Sequence, residues 1–367
     1  MGVELNKKTL WNPEGDDALE ETLIGGNPTG MLNFNKSKYK WADSLFKQML
    51  ENTWFPEEVD TSNEGRAYKT LSEDEKFMYD MAFAQLSFND SLQAENLVDN
   101  INGYVTNKIV NACLTRQAFE EVIHSKSYAV LLADAVENSD EVFELYRSDL
   151  TLRAKNTIIA ENYSKLTDGD VTVEKLYYAF VANQILEGVY FLSGFATIYT
   201  LSDVMRGSAD MIAFIHRDEN THLALFSNMI REAYKENPDE MWFRIRPTVI
   251  KMFDDAYRLE VNWMKYITRG RMTDAMIEQT VAYFVRDRMK LIGMYDEHED
   301  KYGHGRKTPL VQKLESFGKF NDTKTNFFEG NVKNYSKGSL DNWDEDGITD
   351  YNSPQETFEE AIRKLNK

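Results

Sequence analysis

The chain has 367 residues, 61 of them acidic and 42 basic, for a net charge of −19 at pH 7. That charge repels phosphate backbones and anionic lipid surfaces, which excludes nucleic-acid and peripheral membrane binding as first readings. With 42% hydrophobic residues there is ample material for a core, and the lone cysteine, Cys113, rules out an internal disulfide and a cysteine zinc cage.

Residues 1–40 are polar and glycine-rich, with Gly25-Gly26-Asn27-Pro28 as a breaker, and read as an irregular N-terminal arm. The first residues lack the apolar stretch of a secretory leader, so a cytoplasmic, reducing setting is expected. From 41 to 316 the pattern is helical, which predicts a single all-α domain. In 73–100, Phe77, Met81, Ala84, Phe88 and Leu92 fall near one face. The segments 114–137, 141–166, 173–201, 211–235, 246–268 and 274–299 are expected to be helices as well. Within 176–201 the only charged residue is Glu187, enough to suggest a membrane span, but Asn183, Gln184, Ser193 and Thr197 argue for the centre of a bundle. A carboxylate in the middle of such a helix is costly unless paired or bound to metal. Residues 317–367 read as a flexible tail, in which Phe358, Ala361, Ile362 and Leu365 recover a helical spacing. That last piece is either an anchor for a partner's groove or a frayed end.

Two of the five histidines follow a glutamate by three residues, in Glu121-Val122-Ile123-His124 and Glu219-Asn220-Thr221-His222. On a helix such pairs share a face and can hold one edge of a metal. Each match alone is weak. The stronger signal lies upstream: Asp90 precedes Glu121 by 31 residues and Glu187 precedes Glu219 by 32. The arrangement of a carboxylate helix followed by an ExxH helix therefore occurs twice. Two facing copies supply four carboxylates and two imidazoles, the ligand set of ferritin-like bundles with paired metal ions. Such oxygen-rich donors suit iron or manganese better than zinc. Tyr128, four residues after His124, lies one turn further along the same helix face. A phenol beside an oxidised metal pair can lose an electron and a proton to become a tyrosyl radical, with Phe191, Phe195 and Ile215 as candidate apolar walls.

With these residues in view, the sequence resembles the small, radical-generating subunit of class I ribonucleotide reductase. The run Phe119-Glu120-Glu121-Val122-Ile123-His124-Ser125-Lys126-Ser127-Tyr128 looks like that family's first ligand-and-radical helix, and Arg217-Asp218-Glu219-Asn220-Thr221-His222 like its second ExxH helix. Trp54-Phe55-Pro56-Glu57-Glu58-Val59-Asp60, 36 residues before Asp90, resembles its tryptophan segment. The similarity spans roughly residues 40–300.

The resemblance implies a ferritin-like helical bundle with Asp90, Glu121, His124, Glu187, Glu219 and His222 as metal ligands and Tyr128 as radical site. It implies a dinuclear cofactor, Fe/Fe first, with Mn/Mn and Mn/Fe as the other pairings. Trp54 and Asp218 would join the metal site to the surface, Asp218 linking Trp54 to His124. The stored oxidant would pass to a cysteine of a large catalytic subunit, docked through the C-terminal tail, where a ribonucleotide becomes a deoxyribonucleotide. A homodimer is expected, and a flavoprotein activator if the metal is manganese. In the tail, Asn326-Phe327-Phe328-Glu329 followed by Tyr335 favours Tyr335 as the next relay, with Tyr351 as runner-up. Residues 344–367 extend past the family's usual short tail. The competing reading is a ferritin-like oxidase or monooxygenase that applies the same metal pair directly to a small substrate.

Overall fold

The computed structural model describes residues 4–166, 169–237 and 239–320. The tail beyond Phe320, with Tyr335, Tyr351 and the 355–367 piece, lies outside them. Among the described residues no strand forms, and pairing outside the helices is limited to isolated bridges such as Ile24 with Val105. The all-α expectation holds.

After the arm come α1 (Lys40–Glu51), a 3-10 turn Pro56–Glu58, α2 (Glu64–Thr70) and α3 (Glu73–Asn96). Ser72 and Glu75 close a capping box at the start of α3, satisfying two N–H groups that the helix leaves open. A π-turn, Leu97–Ile101, and the short α4 (Asn102–Tyr104) lead to α5 (Lys108–Ala135), which Asn107 caps. Short α6 (Ser139–Phe143) and α7 (Leu145–Ser148) precede α8 (Leu150–Ser164). The sequence pattern reads 141–166 as one helix. The structure breaks it at Glu144 and Asp149, where the Asp149 side chain turns back to accept from the Leu152 N–H and starts a new helix.

Next come α9 (Val173–Ile185), a second π-turn Leu186–Phe191 and α10 (Leu192–Tyr199), nearly wholly buried. This is the apolar stretch mistakable for a membrane span; among the described residues no helix is long and apolar enough to cross a bilayer. Then follow α11 (Arg206–Glu236), α12 (Asp239–Thr268), α13 (Asp274–Leu291) and α14 (Pro309–Phe320). Helix α13 stops short of the expected 299, just before Gly293, which takes a positive φ of 70°. Helix α12 begins before the expected 246 and carries Pro247 within it.

The centre of the bundle is built by α3 against α5, α9 and α10 against α11, and α5 against α11. Glu64 of α2 is buried and accepts from the N–H groups of Gly207 (2.9 Å) and Ser208 (3.0 Å), which fixes the start of α11. At the other end of α11, Glu236 accepts from Leu23 N (2.9 Å) and Lys38 Nζ (2.7 Å), so the arm is fastened to the body.

Candidate metal centre

The two ExxH pairs sit on α5 and α11, which pack against each other, while Asp90 comes from α3. Glu187 comes from the π-turn between α9 and α10. A π-turn adds one residue to the helical repeat and swings the side chains inside it. Gly188 follows because α13 comes close: a Cβ there would meet Arg288 Cδ at 2.3 Å.

Two groups of side chains converge. Asp90, Glu121, His124 and Glu219 form one, and Glu121, Glu187, Glu219 and His222 the other; in each, the ligand atoms lie within 4.8 Å of one another. Glu121 and Glu219 are common to both, so the two groups form adjacent positions that share two carboxylates. His124 Nδ1 is 3.2 Å from Asp90 Oδ1 and 3.2 Å from Glu219 Oε1. His222 Nδ1 is 3.1 Å from Glu219 Oε2 and 3.3 Å from Glu121 Oε1. The ring centroids are 5.9 Å apart. All six residues, each named from its spacing in the sequence, are fully buried and brought together.

A metal pair fits this donor set. Asp90 Oδ2 and Glu187 Oε2 are buried without a hydrogen-bond partner, a costly state that a cation relieves. Four carboxylate charges match two divalent ions. Without metal, burial pushes the Asp90 and Glu187 carboxyls well above the usual range, with their acidic neighbours adding to it. Burial alone would lower both imidazoles, but the surrounding carboxylates override it and hold His124 and His222 well above the ordinary value. Ligation displaces such protons, so metal uptake will release protons and tighten as pH rises.

Around this cluster lie groups of which the sequence reading named some. Trp54 Nε1 donates to Asp218 Oδ2 at 2.6 Å, and the same oxygen is 3.2 Å from His124 Nε2. The expected link from Trp54 through Asp218 to His124 is thus present as geometry. Burial opposes ionisation of Asp218, but the Arg217 guanidinium and then His124 outweigh it and hold its carboxyl low. Tyr128 is fully buried, its ring edge-on to Phe83 at 5.8 Å. Its hydroxyl closes no hydrogen bond, and burial, then the neighbouring Asp90, pushes the phenol well above its ordinary range. Phe191, Phe195 and Ile215 are buried too.

Three residues escaped the sequence reading. Gln93 and Gln117 both donate to Glu187 Oε1, at 2.7 and 2.6 Å. Glu120 Oε2 lies 2.9 Å from His222 Nε2. The glutamines carry a faint signal, uncharged polar residues one turn from Asp90 and Glu121. Glu120 was masked by standing next to Glu121, although Arg116 one turn earlier offered it a partner.

Bundle and site together define a ferritin-like carboxylate protein able to hold two metal ions. Residues 31–304 match the family described as "Ribonucleotide reductase, small chain". The "Ribonucleoside-diphosphate reductase subunit beta" of Treponema pallidum is 34% identical over 91% of this chain and 96% of its own. Its counterpart in Halalkalibacterium halodurans is 29% identical over 92% and 98%. The ribonucleotide reductase R2 subunit from Clostridium botulinum superposes with a TM-score of 0.78 at 30% identity, covering 86% of this chain and 99% of that one. The chain belongs to the ribonucleotide reductase small-chain family.

Proposed function

We propose that the protein is the radical-generating small subunit of a class I ribonucleoside-diphosphate reductase, with Asp90, Glu121, His124, Glu187, Glu219 and His222 holding a dinuclear iron or manganese centre. The observation that carries this reading is the pair of ligand groups sharing Glu121 and Glu219. The metal pair, when bound, supplies the power to remove one electron from a nearby phenol. Tyr128 is that phenol. Its burial beside Phe83 keeps water from the site where the oxidant is stored. Gln93 and Gln117 hold Glu187 in place, and Trp54, Asp218 and His124 form the exit toward the large catalytic subunit.

The large subunit would dock on the C-terminal tail, with Tyr335 as the next relay and Tyr351 in reserve. The expected homodimer would cover the outer side of α5, where Phe119 and Val122 are exposed. A manganese form would draw on a flavoprotein activator, and the working location is the cytoplasm. Tyr335→Phe is expected to keep the radical at Tyr128 while turnover falls to background; unchanged turnover removes Tyr335 from the path.

One observation favours a second reading. A cavity of about 210 Å³ is lined by Tyr163 among others. Ile185 and Tyr190, on either side of Glu187 in the chain, line it as well. A small substrate there would suit a direct oxidase. Anaerobic loading of the apoprotein with Fe(II), then air, separates the two. Two ions per chain and a sharp tyrosyl signal in electron paramagnetic resonance support the reductase. Uptake of fewer than two ions overturns the dinuclear site. Two ions without a radical, with Mn(II) and an activator also tried, favour the oxidase if turnover with a large subunit is absent, and an oxidant held on the metals themselves if it is present.

A further inference from the structure

The two imidazoles are held from behind in the same way. His124 Nε2 meets Asp218 Oδ2 at 3.2 Å, and His222 Nε2 meets Glu120 Oε2 at 2.9 Å. The other oxygen of each carboxylate is held by an arginine. Arg217 Nη2 reaches Asp218 Oδ1 at 3.3 Å, and Arg116 Nε donates to Glu120 Oε1 at 3.1 Å. Both arginines then end on the same short stretch of chain: Arg217 donates to the Asn52 carbonyl at 2.5 Å, and Arg116 to the Met49 carbonyl at 3.2 Å. Arg116 also donates to Thr53 Oγ1 at 3.1 Å. These carbonyls close the C-terminal end of α1, where a helix leaves acceptors open and its dipole favours cations. Trp54 follows directly.

We infer that Glu120, backed by Arg116, is the positioning residue for His222, a counterpart of Asp218 and Arg217 on His124, and that both braces rest on the end of α1. The inference builds on the dinuclear reading above. A carboxylate behind a ligating imidazole fixes its orientation and raises its donor strength. Each brace therefore serves the metal position that its own histidine faces: Asp218 the one beside Asp90, Glu120 the one beside Glu187. Glu120 is buried, and His222 and Arg116 are its hydrogen-bonding partners, so its charge acts on the imidazole without competition from water. The two braces meet the same helix end on different carbonyls, so each should tune its own metal with little effect on the other.

The test is Mn(II) binding by the full-length apoprotein, titrated through the signal of free Mn(II) and resolved by position through anomalous diffraction from soaked crystals. Glu120→Gln keeps the shape and an acceptor oxygen while removing the charge. It is expected to weaken the His222 position by roughly 10–100-fold and leave the His124 position unchanged. Asp218→Asn should do the reverse. Arg116→Gln, which leaves Glu120 in place, should weaken the His222 position alone and by a smaller factor, and stands in if Glu120→Gln does not fold. Unchanged binding in both the Glu120 and Arg116 variants overturns the inference. So does equal weakening of both positions with a lowered apoprotein melting temperature, because Glu120 would then act through packing alone. Wild-type protein that fails to bind two ions instead sinks the dinuclear reading on which the inference stands.

Discussion

Tyr128→Phe protein will take up the metal pair as the wild type does, show no radical after exposure to air, and leave turnover with the large subunit at background. The substitution removes one oxygen atom. That oxygen is buried and makes no hydrogen bond, so its loss strands no partner and the fold should tolerate it or gain slightly. The ring keeps its edge contact with Phe83, and none of the six ligand side chains is touched. What disappears is the phenol hydroxyl whose nearest-acting acidic neighbour is Asp90 of the cluster. Metal content, radical signal and turnover should be measured on the same sample. A wild-type-like radical in the phenylalanine variant would move the oxidant to another residue, and full turnover without any radical would place it on the metal pair.

Lys155→Met will destabilise the apoprotein by about 3–5 kcal/mol, the usual cost of removing one partner from a buried ion pair. Lys155 is fully buried, with Nζ 2.5 Å from Glu260 Oε2 and about 5 Å from the rings of Tyr190 and Trp263. Burial pulls the lysine down to about 8 and pushes Glu260 up, so for each ion desolvation outweighs the attraction of its partner. The pair as a whole is near break-even, yet neither half is dispensable. In the variant, Glu260 loses its cation while burial still holds its folded pKa above the unfolded one. Stability contributed by such a carboxyl is present while it is protonated and is lost as pH rises through the folded value. The deficit should therefore be smaller at pH 5 than at pH 8. Denaturant unfolding at the two pH values checks both the size and the sign. The double variant Lys155→Met/Glu260→Leu should recover most of the loss; a loss below about 1 kcal/mol at pH 8 would show that the pair behaves as a surface contact.

The parts of the site legible in the sequence were those with a helical period. Glu121 with His124, and Glu219 with His222, declare themselves because i and i+3 share a face, and Glu187 because an apolar helix does not carry an idle charge. The arrangement around them was legible only in part. No periodicity marks the π-turn at Leu186–Phe191, since its extra residue is accommodated by packing against α11 and α13. The break of 141–166 depends on the Asp149 side chain choosing a backbone N–H over solvent, a choice that pattern alone does not record. Glu120 was hidden for a geometric reason. Neighbouring residues on a helix point about 100° apart, so a glutamate beside a presumed ligand looks like a solvated face until the helix across from it is in place.

The carboxylate that holds the start of α11 has a bearing on where the substrate goes. A helix N-terminus with free N–H groups is a natural seat for phosphate. Here Glu64 already fills that seat, accepting from Gly207 and Ser208 with a buried negative charge. A nucleoside diphosphate approaching the end of the helix that carries Glu219 and His222 would meet repulsion and an occupied socket. This helix end is thus closed from within, and in the proposed reductase it would not compete for the nucleotide that the large subunit binds.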